Sequence, residues 1–167
     1  MAFKKIGTTA LFLGRFQPFH LGHLWVVKQL CQKHEKVIIL VGTRQKAGEK
    51  NPFSYKERVA MIKLVMLRLG IKNYIIKGIA DNMSDDAWLR NLRKIVPKNS
   101  IMYAGNNSII NLFKKNKFPV KRVDIYRAIS GSKVRARIRN RQNWKKYVDT
   151  IVAEFLEKKH LLGKIRK

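Results

Sequence analysis

The sequence predicts an α/β fold: a doubly wound, mainly parallel five-stranded sheet with helices on both faces and a C-terminal helical segment. Strand-type apolar runs alternate with helix-period segments through most of the 167 residues. That order is the signature of a parallel sheet built from crossover units. The run Val37 to Val41, VIILV, is continuous and largely β-branched, as expected for a strand covered on both faces. The length suits one domain with a sizeable core. A single domain over 1–167 is therefore expected, with C-terminal helices in 143–167 packed on it.

The elements follow in order. Thr8 to Leu13 reads as the first strand, Gly14 to Phe19 as a loop, and Leu21 to His34 as a helix. In that helix Leu24, Val27, Leu30 and Cys31 fall in step, so Cys31 is read as core rather than as a reactive thiol. After the second strand, Val37 to Val41, Ser54 and Glu57 form a capping box ahead of Val59, Ile62, Met66 and Leu69, and Gly70 ends that helix. Tyr74 to Ile76 is the third strand. Ser84, Asp85 and Asp86 open a third helix, where carboxylates suit the positive end of the dipole. Ile101 to Ala104 and Val120 to Ile125 are the remaining strands, with a helix over Ser108 to Lys115 between them. Ser132 to Arg139 and Asn143 to Lys158 are the last helices, and the tail after Gly163 is expected to fray.

Composition excludes several classes. At 46% hydrophobic and 28% charged, the chain is neither disordered nor collagen-like. No apolar run reaches the roughly 20 residues of a membrane span, and the first residues lack a signal-peptide pattern. A soluble, cytoplasmic protein is expected, with no membrane partner. One cysteine allows no internal disulfide and no cysteine-based zinc site. The balance of 37 Lys+Arg against 10 Asp+Glu, +27 in all, draws polyanions such as nucleotides or nucleic acid.

Chemistry concentrates in the turn after the first strand, GRFQPFHLGH, Gly14 to His23. A doubly wound fold binds phosphate at this first helix N-terminus. His20 and His23 are three apart, so both rings lie on one helical face. Each can donate a hydrogen bond to a phosphate oxygen, and a nearby triphosphate favours the protonated ring. Gly22 lets a ligand approach the backbone, Pro18 stiffens the entry, and Arg15 offers a planar fork.

A second cluster is ISGSKVR, Ile129 to Arg135. Ser132 reads as an N-cap, Gly131 and Ser132 supply free N–H groups, and Arg135 lies one turn in. The cluster suits an anionic polyphosphate. Of Arg135, Arg137, Arg139 and Arg141, alternate members point to opposite sides, and only Arg135 is expected as a ligand.

His-x-Gly-His after a strand resembles the nucleotidyltransferase superfamily that shares its fold with class I aminoacyl-tRNA synthetases. The longer string GRFQPFHLGH is similar to the archaeal-type nicotinamide-nucleotide adenylyltransferases, and ISGSKVR resembles the second signature ISxTxxR, with Ser132 in place of threonine. The resemblance runs from about Leu11 to Leu156. It implies a Rossmann-like sheet, and a reaction in which the 5′-phosphate of nicotinamide mononucleotide (NMN) attacks the α-phosphorus of ATP, giving NAD and pyrophosphate. It further implies His20, His23 and Arg135 as catalytic groups. Gly14, Arg15, Phe16, Gly22, Gly105, Asn106, Ile129, Ser130 and Ser132 would bind ATP. On the acceptor side it implies that Trp88 stacks on the pyridine while Asp81, Asn82 or Asp85 bond the carboxamide and ribose; the residues alone equally allow Trp88, Leu92 and Ile95 as a core stripe. Asn51 to Ser54, with Glu57 and Arg58, is read as structural, Arg58 pairing with Glu57. The polar loop Thr43 to Lys50 is a candidate closing loop.

Mg²⁺ is expected to arrive with ATP, bound by phosphate and water, with no protein metal site. Relatives form symmetric oligomers, so a homo-oligomer is expected. Two other readings stand beside this one: the same chemistry on another acceptor, flavin mononucleotide or phosphopantetheine, whose enzymes usually begin from a GTFD-type string, and a nucleic-acid-binding protein on this scaffold. The second is not favoured, since aromatics are not interleaved with the basic residues as a stacking platform.

Overall fold

The structure, a computed structural model, describes residues 6–42, 48, 50–80, 84–124, 126 and 129–166. Five strands, β1 (Ile6–Gly14), β2 (His34–Val41), β3 (Tyr74–Gly78), β4 (Ser100–Ala104) and β5 (Val120–Arg122), form one sheet. Its order is β3-β2-β1-β4-β5, and every neighbouring pair is parallel. The order reverses between β1 and β4, and ligands of such sheets bind beyond the strand carboxyl ends at such a reversal. The helices are α1 (Leu21–Lys33), α2 (Tyr55–Arg68), α3 (Asp85–Ile95), α4 (Asn107–Lys115), α5 (Gly131–Arg139), α6 (Thr150–Lys158) and α7 (Gly163–Arg166).

The chain gathers into two compact units, each made from three stretches. The first comprises Met1–Gly14, Val26–Arg44 and Asn73–Asp124, and the second Arg15–Trp25, Gln45–Lys72 and Ile125–Lys167. The first unit holds the whole sheet. On one face Leu11, Ile38 and Met102 pack with Trp88 and Leu92 of α3 and Phe113 of α4. The alternate strand residues Ala10, Phe12, Val37, Ile39 and Val41 are buried too. Both faces are thus covered, which is why VIILV carries no polar alternation. Cys31 is buried, as its spacing implied.

The second unit is helical. The capping box forms as written in the sequence: Ser54 accepts from the Glu57 N–H, and the Glu57 carboxylate accepts from the Ser54 N–H at 2.7 Å. Two expectations fail in this unit. Asn143 to Lys158 is not one helix but a 3-10 turn at Lys145–Tyr147 followed by α6. Val148 is extended, and Asp149 caps α6 by accepting the Ile151 N–H at 3.1 Å while pairing with Arg68. An aspartate committed to a cap starts a new helix where the apolar spacing alone suggested continuation. The tail is not frayed up to Arg166: α7 buries Ile165, and the Lys164 ammonium lies 2.6 Å from the Glu57 carboxylate.

Candidate functional site

The chain leaves β1 at Gly14 and turns through Arg15–Phe19 into α1. Phe16 has φ +53°. A left-handed backbone costs a residue with a Cβ roughly 1–3 kcal/mol and is held only when the surroundings impose it. Here it aims the Phe16 ring edge-on at His23, with centroids 4.7 Å apart. Phe19 stacks on the same imidazole at 5.8 Å, and His20 stacks on it at 3.6 Å with 20° between the planes. His23 therefore sits in a box of three rings. The shared face expected for the two histidines is present.

Their hydrogen bonds are reciprocal. The His20 N–H donates to His23 Nδ1 at 3.3 Å, and the His23 N–H donates to His20 Nδ1 at 3.4 Å. With both Nδ1 atoms accepting, the proton of each neutral ring is assigned to Nε2. Burial lowers the His20 pKa from 6.5 to about 4. Burial first, and then the neighbouring His20, hold His23 well below its ordinary value. Both imidazoles thus rest neutral at pH 7. Both folded pKa values lie below the unfolded one, so the unfolded chain binds more protons in acid. Stability present above pH 6.5 is lost as pH falls toward 4, by on the order of 3 kcal/mol from His20 alone. Urea unfolding at pH 7.5 and pH 4.5 checks this: His20→Asn should lose much less than the parent over that interval, and equal losses contradict it.

Gly22 has a structural reason the sequence did not disclose. A Cβ there would stand 3.1 Å from the His20 ring and 3.6 Å from the Ile129 carbonyl oxygen. Glycine lets the imidazole fold back over the start of α1, beside the second motif.

That motif opens α5, one residue earlier than expected. Ser130, not Ser132, is the N-cap: its backbone is extended and its hydroxyl accepts from the Lys133 N–H at 3.2 Å. Gly131 and Ser132 become the first helical residues, and their N–H groups have no partner among the described residues. The Ser132 hydroxyl instead accepts from Arg135 Nη2 at 3.4 Å. Arg135 Nη1 donates to the Gln17 carbonyl at 2.8 Å, three residues before His20. Stretches more than a hundred positions apart thus meet around one guanidinium. Burial, then Arg15 and Arg139, lower the Arg135 pKa from its ordinary value, so cationic charge is concentrated there with no carboxylate among those influences. Arg137, on the other face of α5, lies over the Tyr147 ring at 5.0 Å.

Two residues absent from the expected site support it. Gln17 is buried, and its amide forms a matched pair with the Phe53 backbone, donating to the carbonyl and accepting the N–H, both at 2.9 Å. Arg58 is fully buried and donates to the Arg15 carbonyl at 2.8 Å. It had been expected to pair with Glu57, which instead meets Lys164. The sequence signal was available in the string NPFS…ER, but nothing in spacing tells which carbonyl a guanidinium reaches.

In the sheet unit, Asn106 caps α4 by accepting the Ser108 N–H at 2.8 Å, directly after Gly105. Asp85 is exposed at the first position of α3, and Trp88 is buried with its ring edge-on to Phe113, centroids 6.0 Å apart. Asp81 and Asn82 lie outside the described residues, as do 43–47 and 49 of the candidate closing loop. Among the described residues no group of three or more His, Cys, Asp or Glu is placed to hold a metal ion, and no helix is long and apolar enough to cross a membrane.

The cytidylyltransferase-like family model matches residues 11–137. The nicotinamide-nucleotide adenylyltransferase of Methanolobus tindarius is 34% identical over 151 residues, 89% of this chain and 87% of that protein. The protein of the same name from Archaeoglobus fulgidus is 36% identical over 157 residues, 89% of this chain and 90% of its own. Among solved structures, a bifunctional NMN adenylyltransferase/ADP ribose pyrophosphatase of Francisella tularensis, complexed with AMP and a manganese ion, superposes with a TM-score of 0.77 at 24% identity. It matches 96% of this chain, which spans 52% of that longer protein. At that identity the likeness shows the fold.

Proposed function

The chain belongs to the cytidylyltransferase-like family, alongside the archaeal nicotinamide-nucleotide adenylyltransferases, and from that premise we propose that it joins ATP and nicotinamide mononucleotide to give NAD and pyrophosphate. The observation that carries this reading is the Arg135 bond to the Gln17 carbonyl, which gathers the stacked imidazoles and the start of α5 at one place.

The reaction is a direct displacement. The 5′-phosphate of NMN, already an anion, attacks the α-phosphorus in line. The bond to the bridging oxygen breaks, and pyrophosphate leaves with that electron pair. No protein nucleophile is needed, so catalysis consists of positioning and charge stabilisation. The Nε2–H groups of His20 and His23 donate to α- and β-phosphate oxygens. A triphosphate there opposes the burial that keeps the rings neutral. Arg15, Arg135, the Ser132 hydroxyl and the N–H groups of Gly131 and Ser132 hold the polyphosphate. Phe16, Gly22, Ile129 and Ser130 shape this cradle, Ser130 by fixing where α5 begins.

Gly14, Gly105 and Asn106 are proposed for the adenosine side. Asp81, Asn82, Asp85 and Trp88 are proposed for the acceptor. Trp88 belongs to the core as it stands, so stacking on pyridine requires exposure of one ring face. Mg²⁺ is proposed to enter as part of the MgATP substrate, carried by phosphate oxygens, where it neutralises charge on the polyphosphate. A cytoplasmic homo-oligomer is proposed.

The test supplies ATP and Mg²⁺ with NMN, nicotinic acid mononucleotide, flavin mononucleotide or phosphopantetheine in parallel. Stoichiometric NAD and pyrophosphate with NMN are expected. Turnover confined to flavin mononucleotide or phosphopantetheine, or to none of the four, overturns the reading.

A further inference from the structure

The described surface carries a cleft of about 360 Å³ lined by Arg93, Lys98, Lys117 and Phe118. Its basic rim does not set it apart in a chain of net charge +27. The contacts behind residues 15–23 carry more.

Residues 15–19 lead from β1 into α1. This segment includes a left-handed Phe16, and its carbonyls at 15 and 17 each take a side-chain donor in a part-buried bond. Both are supplied by guanidinium groups, Arg58 to residue 15 and Arg135 to residue 17. The Gln17 side chain adds a two-point amide pair to Phe53. Phe53 directly precedes Ser54, the N-cap whose capping box fixes the start of α2. Arg58 lies on the first turn of that helix and also donates from Nε to the Ser54 carbonyl at 3.4 Å. The segment is thus referenced to one rigid helix end at two successive odd positions.

We propose that Gln17 and Arg58 are positioning residues for adenylyl transfer: braced on the start of α2, they hold residues 15–19 so that the paired imidazoles and the Arg135 guanidinium face one triphosphate. Neither side chain touches substrate. The inference rests on the function proposed above, and it gives Phe53 to Arg58 a part in the site.

The brace makes turnover more sensitive than ATP binding. Misplacing a reacting group by about 1 Å costs on the order of 10²-fold in rate, whereas charge attraction to a triphosphate tolerates such a shift. The test uses the full chain with Gln17→Met, which keeps length and removes the amide, and Arg58→Lys, which keeps the charge and loses the fork. Far-ultraviolet circular dichroism and urea unfolding first establish the folded fraction. Turnover per folded molecule is expected to fall on the order of 10²-fold for Gln17→Met, with a much smaller change in the KM for ATP and a smaller loss for Arg58→Lys. In the ligand-free protein, the imidazole Nε2 and Cε1–H resonances of His20 and His23 are expected to shift in both variants. Parent-like turnover per folded molecule, or unmoved imidazole resonances, overturns the proposal. If Gln17→Met does not fold, Arg58→Lys and its imidazole spectrum decide. If the parent itself makes no dinucleotide, the functional reading fails while the imidazole spectra still judge the brace.

Discussion

Alanine at His20 or at His23 is expected to cut turnover by about 10²- to 10³-fold, the cost of removing one preorganised donor from a developing phosphate charge. The loss should lie toward the upper end of that range, because the two residues hold one another. Each Nδ1 accepts the other's backbone N–H, so removing either ring leaves the partner's N–H without that acceptor and removes a ring stacked at 3.6 Å between centroids. The double variant should therefore be little worse than either single one, the mark of groups acting as a unit. Steady-state kcat on folded protein checks this. Near-normal turnover in either single variant removes that histidine from the site, and strictly multiplicative losses contradict the mutual support.

Gly131→Ala is expected to be nearly as damaging, although it removes no functional group. The added Cβ would stand 2.8 Å from the Gln17 carbonyl oxygen and 3.2 Å from Arg135 Nη1. The first of these atoms is backbone and cannot step aside by rotation. Either the start of α5 or the segment at Gln17 must move, and either movement breaks the 2.8 Å bond between Arg135 and residue 17. Turnover should fall on the order of 10²-fold, with a loss of about 1–3 kcal/mol in stability from overpacking. Urea unfolding and kcat measured together check the pair of effects. A Gly131→Ala protein of parent-like activity would show that the close approach of the two motifs is not used.

Much of this was legible in the chain itself. The alternation of strand and helix gave the five parallel strands, because a strand buried on both faces must be apolar throughout and VIILV is. The capping box at Ser54 and the cap at Ser84 are local, and local chemistry survives folding. His20 and His23 were legible because a spacing of three on a first turn has one geometric outcome. What was not legible depended on choices between equivalent local partners. Ser130 and Ser132 are both competent caps, and only the extended backbone at Ser130 settled which one starts α5. Asp149 broke the last expected helix because its carboxylate serves Arg68, 81 positions away. Burial keeps both imidazoles neutral, which residue spacing does not disclose. Their box of aromatic rings comes from a left-handed Phe16 that no periodicity announces.

The most direct measurement follows the α-phosphorus. ATP labelled there with ³²P is incubated with NMN and Mg²⁺, and the products are separated from denatured protein. The account predicts label in the dinucleotide, unlabelled pyrophosphate, no label retained on the chain, and loss of labelled product in His20→Ala and His23→Ala. Label held covalently by the protein, or labelled dinucleotide formed undiminished by those two variants, would contradict it.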